Sequence, residues 1–270
     1  MIKEIIIRRN LIRELVLKNL KIRYSKSLLG FLWAFLSPFL IVLIFYLVFS
    51  LILNVKTEEA PFILYLMSGV FTWRFFQDSL MCSMTSLVDN KNLIRESNFP
   101  HYLIPLSIVL ANAIVFLPSL FILLIASLVS LKGLPIFVLF LPFILVIHLV
   151  ISIGLSIIFS VLYVKWRDIK YILEVVLLLL FYLTPAFYSI RLVKSSFPPP
   201  LFVLYLYDPF VCILNLYRIS ILKGFYVVVK NEMGIISMFF ITVGVAIAVL
   251  GLVYYLYRKN KNSINDYLSY

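Results

Sequence analysis

Long apolar segments alternate with short charged segments along most of the chain. The clearest of them follows a cluster of cations and contains no charged residue from Ser27 to Val55. A helix needs about 20 apolar residues to cross the roughly 30 Å hydrocarbon core of a bilayer. This stretch is therefore long enough to cross a membrane, and it is too long and begins too late to be a secretory signal peptide.

Six segments of this kind predict an all-α integral membrane protein with six transmembrane helices in a single domain, residues 1–270. The predicted spans are 29–53, 61–85, 102–130, 135–163, 171–190 and 233–257. The first five spans therefore fall within 29–190, and the sixth follows a long intervening segment.

Two regions depart from the spanning pattern. Residues 1–27 alternate charged and aliphatic positions, with Ile12, Leu15 and Val16 on one helix face, which predicts an amphipathic helix lying in the membrane surface. Residues 191–232 hold three consecutive prolines between apolar runs that are too short to cross. This pattern predicts a re-entrant helical hairpin before the last span.

The composition agrees with a membrane protein. Hydrophobic residues make up 63% of the chain, charged residues 13%, and the mean hydropathy is +1.08. A soluble domain has about 45–50% apolar and about 25% charged residues. The net charge of +12 does not indicate a nucleic-acid partner, because the cations lie at the ends of apolar runs, where they anchor helices at a lipid surface.

The distribution of Lys and Arg predicts the orientation. These residues concentrate in the amino-terminal segment, in 86–101, in 165–170 and in the tail 258–270, whereas the short loops of the opposite side hold Lys56 and Lys132. Cytoplasmic loops carry the excess of cations. Both termini are therefore expected in the cytoplasm, and the hairpin is expected on the extracytoplasmic side.

Motifs for bond-making chemistry are absent from the sequence. There is no glycine-rich phosphate loop ending in Lys-Ser or Lys-Thr, and the HExxH, CxxC and GxSxG patterns of metal and nucleophile sites do not occur. We therefore expect no catalytic residue, no metal site and no cofactor in this chain.

Arg74 and Asp78 interrupt the second predicted span four residues apart, a spacing at which they can pair on one helix. A charge at membrane depth costs roughly 2.5–3.5 kcal/mol on insertion scales, so such pairs usually face protein or water. Two interpretations stay open: a structural ion pair, or a polar wall along a water-filled path. His148, inside the fourth span, is expected to hydrogen-bond a neighbouring residue.

Short motifs are distributed over nearly the whole chain. In order they are Arg23-Tyr24, Leu29-Gly30, Leu32-Trp33-Ala34, Pro38, Asn92-Leu93-Ile94, Phe99-Pro100, Arg167-Asp168-Ile169, Thr184-Pro185, Tyr207-Asp208-Pro209 and Tyr217-Arg218. Taken together, their order and spacing resemble the permease subunits of ABC transporters that export polysaccharides such as O-antigen, capsule or teichoic acid.

The resemblance implies a partner set and a location. It implies a homodimer that binds two copies of a separate ATP-binding subunit, which holds ATP and Mg²⁺, in the bacterial cytoplasmic membrane. The segment after the second span would be the helix that couples to this subunit, with Leu87, Asp89, Asn90, Asn92, Leu93, Ile94, Arg95 and Glu96 as its candidate residues. The hairpin would close the extracytoplasmic mouth, with Asp208, Pro209, Tyr217 and Arg218 as candidate gate residues.

The resemblance also implies a substrate, a glycan attached to a polyprenyl diphosphate lipid. Candidates for the diphosphate are Arg23, Tyr24 and Lys26, although plain anchoring to anionic lipids is an alternative for these residues. Sugars stack on aromatic faces, which favours an aromatic path for the glycan. Its candidates are Phe71, Trp73, Phe76, Tyr182 and Tyr188, for which a lipid-facing aromatic belt is the alternative.

Two other functions remain open at this point. A permease of the same architecture could export a drug or a lipid, and it would need neither an aromatic lining nor a diphosphate ligand. An integral-membrane glycosyltransferase or acyltransferase would turn over its substrate without an ATP-binding partner.

Overall fold

The computed structural model describes residues 7–24, 29–54, 60–95, 99–230 and 232–260, and within these ranges the regular structure is helical. Lys26 and Glu96, predicted as a diphosphate and a coupling residue, lie outside the described residues. The side chains of Tyr24 and Arg95 also lie outside the description, although both residues end a helix.

The described residues form α-helices that we number in chain order. They are α1 (Arg9–Tyr24), α2 (Trp33–Phe45), α3 (Phe62–Met84), α4 (Ser86–Asp89), α5 (Lys91–Arg95), α6 (Leu103–Ser130), α7 (Leu141–Lys165), α8 (Ile169–Leu183), α9 (Ile190–Ser196), α10 (Pro199–Leu206), α11 (Pro209–Ile221), α12 (Phe225–Val229) and α13 (Ile235–Asn260). A 3₁₀ turn, Gly30–Leu32, precedes α2, and a π-helical segment, Tyr46–Ile52, continues it. A second 3₁₀ turn, Ile136–Phe140, leads into α7.

Three helices of the described region are long and apolar enough to cross a membrane alone: Leu103–Ser130, Ile136–Lys165 and Ile235–Leu256. The pair α10 and α11 is bent by 68° at its break and adds a fourth crossing if it counts as one span. The all-α integral membrane class is therefore confirmed. The count of six spans stays a prediction.

The predicted fifth span, 171–190, continues beyond the carboxyl-terminal end of the observed helix. Helix α8 stops at Leu183, and Thr184 has extended backbone angles (φ −80°, ψ 140°). The cause is Pro185, because a residue before proline is pushed out of the helical region. The hydroxyl of Tyr188 stabilises the chain at this break by donating hydrogen bonds to the carbonyls of Tyr182 (3.0 Å) and Leu183 (2.6 Å).

Helix α1 is amphipathic as the sequence predicts, but protein covers its apolar face. Ile12, Leu15 and Val16 are buried against α6, which offers a complementary apolar surface in its first turns. Ile7 and Ile22 remain exposed and are available to a lipid surface. The position of α1 in the membrane surface stays a prediction.

Helix α3 forms the centre of the bundle, packed by α2, α6, α7, α8 and α11. Another backbone approaches it closely at Gly69, where an added Cβ would collide with the carbonyl oxygen of Ala186. Glycine lets two backbones approach this closely. The break after α8 therefore packs directly on the amino-terminal half of the central helix.

Candidate functional site

A cavity of about 300 Å³ opens between the end of α1, the start of α2, α3 and α6. Its charged lining residues are Arg23, Arg74 and Asp78, and its other lining residues include Trp33, Phe71 and Asn112. The cavity therefore brings together the ion pair predicted on the second span, the diphosphate candidate Arg23 and the glycan-path candidate Phe71.

Asp78 lies between two guanidinium groups. Its Oδ2 atom is 3.5 Å from Nη2 of Arg23 and 3.9 Å from Nη2 of Arg74. The ion pair expected from the i, i+4 spacing is thus present, and Arg23 of α1 joins it from outside the helix. All three side chains are about one-third exposed, and pairs of this kind contribute roughly 0–1 kcal/mol to stability. The cluster therefore keeps one net positive charge that is accessible from the cavity.

Asn112 of α6 completes the cluster, and no sequence signal singled it out. Its Oδ1 atom accepts a hydrogen bond from Nη1 of Arg23. The residue is 5% exposed, and its Nδ2 atom has no hydrogen-bond partner among the described residues. A buried donor without a partner costs about 1–3 kcal/mol. Of the described residues, no group of three or more His, Cys, Asp and Glu could hold a metal ion.

The aromatic candidates for a glycan path are placed unevenly. Phe71, Trp73 and Phe76 are buried within the protomer, and Phe71 reaches the lining of the cavity. Tyr182 is 54% exposed. Tyr188 is partly buried, and its hydroxyl is engaged in the break after α8. In this state of the protein, Tyr182 is the member of the set with a broad face at the surface.

The predicted coupling segment forms two short helices, α4 and α5. Leu87 and Ile94 are buried and attach the segment to the bundle, whereas Asp89 and Asn92 are exposed. Asn90 and Leu93 are half-buried. The exposed residues are the ones available to a partner protein, and the buried ones hold them in place.

Helix α1 connects the coupling segment to the cavity. Nζ of Lys18 donates to Oδ1 of Asn90 (3.1 Å), and Nδ2 of Asn19 donates to Oγ of Ser107 (3.1 Å). Arg23 follows on the same helix and enters the cavity. One rigid element therefore contacts both sites.

The four gate candidates have distinct contacts. The Asp208 side chain caps α11 by accepting hydrogen bonds from the N–H groups of Phe210 (2.8 Å) and Val211 (3.1 Å). Pro209 occupies the first turn of the same helix, where its missing N–H costs nothing. The hydroxyl of Tyr217 lies 3.4 Å from Nδ1 of His148, which confirms that His148 contacts a polar neighbour.

Arg218 is fully buried and joins three parts of the bundle. Its Nε donates to Oγ of Ser68 (3.2 Å), and its Nη2 donates to the carbonyls of Tyr65 (3.2 Å) and Ala186 (3.0 Å). The guanidinium carbon also lies 3.4 Å from the centre of the Tyr65 ring, a cation–π contact. We call this set of contacts the Arg218 clamp. It fixes α11 and the break after α8 to α3.

Comparison with known proteins decides the family. Residues 10–222 match the model of the family described as ABC-2 type transporter. The chain belongs to the ABC-2 type transporter family. The match includes the cavity, the coupling segment and the Arg218 clamp. Members of this family are the membrane-spanning subunits of ABC transporters, so this permease is an integral protein of the inner membrane.

The permease is similar to curated proteins named O-antigen export system permease protein RfbA. One from Klebsiella pneumoniae is 31% identical over 181 residues, covering 67% of this chain and 69% of the relative. One from Myxococcus xanthus is 29% identical over 196 residues, covering 73% of this chain and 75% of the relative. The predicted resemblance to polysaccharide-export permeases is therefore confirmed.

Proposed function

We propose that this permease is the transmembrane subunit of an ATP-driven exporter that moves a polyprenyl-diphosphate-linked polysaccharide, such as O-antigen, capsule or teichoic acid, across the cytoplasmic membrane. The cavity at the end of α1 carries this proposal. It offers the guanidinium groups of Arg23 and Arg74. These are the donors that bind phosphate oxygens, and arginine suits them through its planar fork.

The rest of the proposed architecture follows the predicted topology. Both termini and the coupling segment lie in the cytoplasm, six spans cross the membrane, and α9 to α12 close the extracytoplasmic mouth. Two permeases form a homodimer with two ATP-binding subunits, which hold ATP and Mg²⁺, and no cofactor binds to this chain. The names of the relatives and the cation-rich amino-terminal side of the chain support this arrangement.

The two alternatives explain less of the structure. An exporter of apolar drugs does not need two guanidinium groups in its cavity. A membrane transferase would not belong to a family of ABC transporter subunits. The lipid-linked glycan is therefore the preferred cargo.

Replacing the exposed Asn92 with tryptophan is expected to reduce the amount of ATP-binding subunit that copurifies with the permease by about tenfold or more, because one bulky side chain on a docking surface costs typically 1–3 kcal/mol. The measurement is a mild-detergent pulldown of the tagged permease from its own host with quantitative mass spectrometry. The control is Lys230→Trp. Lys230 is also exposed, and the predicted topology places it on the extracytoplasmic side of the membrane, away from the ATP-binding subunit. Equal recovery of the ATP-binding subunit with both variants would remove α5 from the docking surface.

A further inference from the structure

The cavity contains a carboxylate that a site for diphosphate alone does not need. Two unit charges 4 Å apart interact by about 4 kcal/mol near a protein surface, so the carboxylate of Asp78 repels an anion that approaches Arg23 and Arg74. A carboxylate improves binding only if the ligand also brings hydrogen-bond donors. Sugar hydroxyl groups are such donors.

We propose that the same cavity binds the first sugar of the lipid-linked glycan, with Asp78 accepting hydrogen bonds from sugar hydroxyls and Trp33 stacking on the sugar ring. This inference rests on the proposed function, because it places the sugar next to a diphosphate held by Arg23 and Arg74. It names the residues that select which glycans are loaded.

Asp78 supplies the hydrogen bonds to the sugar. Its side chain lines the cavity and is about 29% exposed. A carboxylate accepts hydrogen bonds and sugar hydroxyls donate them, so a sugar in the cavity can satisfy the spare lone pairs of Asp78.

Trp33 supplies the apolar contact. It lies in the first turn of α2, lines the cavity and is 42% exposed, which leaves a large part of the indole uncovered. The face of a sugar ring carries C–H groups that pack on an aromatic surface. No residue of the same kind in the described lining competes for this position, because the neighbouring Phe71, Phe75 and Phe116 are buried.

The size of the cavity limits how much of the glycan it can bind. At about 300 Å³ it lies at the lower end of ligand pockets. A single sugar with its phosphate groups fits this scale, whereas a polymer does not. The selection therefore acts on the lipid-proximal end of the glycan, and the remaining sugars are outside its reach.

The test measures binding to the purified transporter complex in nanodiscs with three kinds of probe. One is polyprenyl diphosphate without sugar, the second is the same lipid carrying glucose, galactose or N-acetylglucosamine, and the third is phosphatidylglycerol, an anionic lipid without a sugar. For the unchanged protein, at least one sugar-bearing lipid is expected to bind about tenfold more tightly than the sugarless lipid, the gain of one hydrogen bond to a charged group.

Asp78→Asn gives the decisive contrast. Removal of the negative charge is expected to leave binding of the sugarless lipid diphosphate equal or tighter, while the advantage of the sugar-bearing lipid falls to less than about twofold. Trp33→Leu is expected to reduce the same advantage without changing sugarless binding. The matched control is Trp166→Leu, since Trp166 is exposed outside the cavity.

The outcomes separate this inference from the proposed function. If unchanged protein binds sugarless and sugar-bearing lipids equally, or if Asp78→Asn weakens both by the same factor, Asp78 only orders the arginines and the inference is wrong, while the diphosphate site stands. If phosphatidylglycerol competes as well as every lipid diphosphate, the cavity is a general anionic-lipid site and both proposals fail. Should Asp78→Asn not fold, Trp33→Leu decides alone.

Discussion

Replacing Arg218 with leucine is expected to lower the free energy of unfolding of the permease by about 3 kcal/mol or more. The clamp hydrogen bonds end on oxygens of Ser68, Tyr65 and Ala186, and each buried acceptor that loses a donor costs about 1–3 kcal/mol. Leucine cannot replace the planar fork or the contact with the Tyr65 ring. The break after α8 and helix α11 would then lose their common attachment to α3.

The thermal unfolding midpoint of detergent-purified protein measures this effect. For a chain of this size, 1 kcal/mol corresponds to roughly 2–4 °C, so the expected decrease is on the order of 10 °C. Arg218→Lys keeps the charge but lacks the planar fork of arginine. Its unfolding midpoint should therefore lie between those of Arg218→Leu and the unchanged protein. Arg191→Leu, an exposed arginine in α9, is the control and should stay within about 2 °C of the unchanged protein.

Two results would contradict the clamp. If Arg218→Leu unfolded at the same temperature as Arg191→Leu, the hydrogen bonds of the buried guanidinium would not stabilise the bundle. If Arg218→Lys matched the unchanged protein, charge alone would suffice and the fork geometry would be irrelevant.

Replacing Arg23 with glutamate is expected to reduce glycan export by about 10- to 100-fold while the amount of folded permease stays normal. The change removes a guanidinium from the cavity and places a second carboxylate near Asp78. A hydrogen bond between charged groups contributes about 1.5–3 kcal/mol, which corresponds to about one to two powers of ten in affinity. Because Arg23 is exposed at the end of α1, the fold does not depend on it.

The matched control for this prediction is Lys21→Glu. Lys21 is exposed in the same last turn of α1, and it does not line the cavity. Both variants change the charge by two and weaken attraction to anionic lipids equally. The measurement is the amount of glycan at the cell surface relative to permease in the membrane. Equal loss with both variants would mean that Arg23 acts by lipid anchoring, the alternative that the sequence leaves open.

The apolar pattern predicted several helices well because the membrane imposes a simple rule on their length. Helix α3 begins and ends within one residue of the predicted 61–85, and α6 does the same for 102–130. The pattern failed at α8, where hydrophobicity continues past Leu183 although Pro185 ends the helix. Apolar composition indicates that a segment avoids water. It does not show where a local backbone constraint such as Pro185 ends the helix.

The contacts of the candidate site could be predicted only in part from the sequence. The spacing of Arg74 and Asp78 is local and predicts their pairing, whereas the contacts of Arg23 with Asp78 and Asn112 join residues far apart in the chain. Arg218 could also have extended to the surface from a short helix, since long cationic side chains often do so. Its burial depends on oxygens that α3 and the break after α8 bring together, and that arrangement exists only in the folded bundle.

The central claim is that this permease moves a lipid-linked glycan at the expense of ATP hydrolysed by a partner. The most direct measurement reconstitutes the permease with the ATP-binding subunit from its host in proteoliposomes that contain the lipid-linked glycan. We expect glycan to appear on the opposite side of the membrane with ATP and Mg²⁺, and not with ATP when Mg²⁺ is withheld. Transfer that proceeds without the ATP-binding subunit, or ATP hydrolysis that never moves glycan, would contradict the claim.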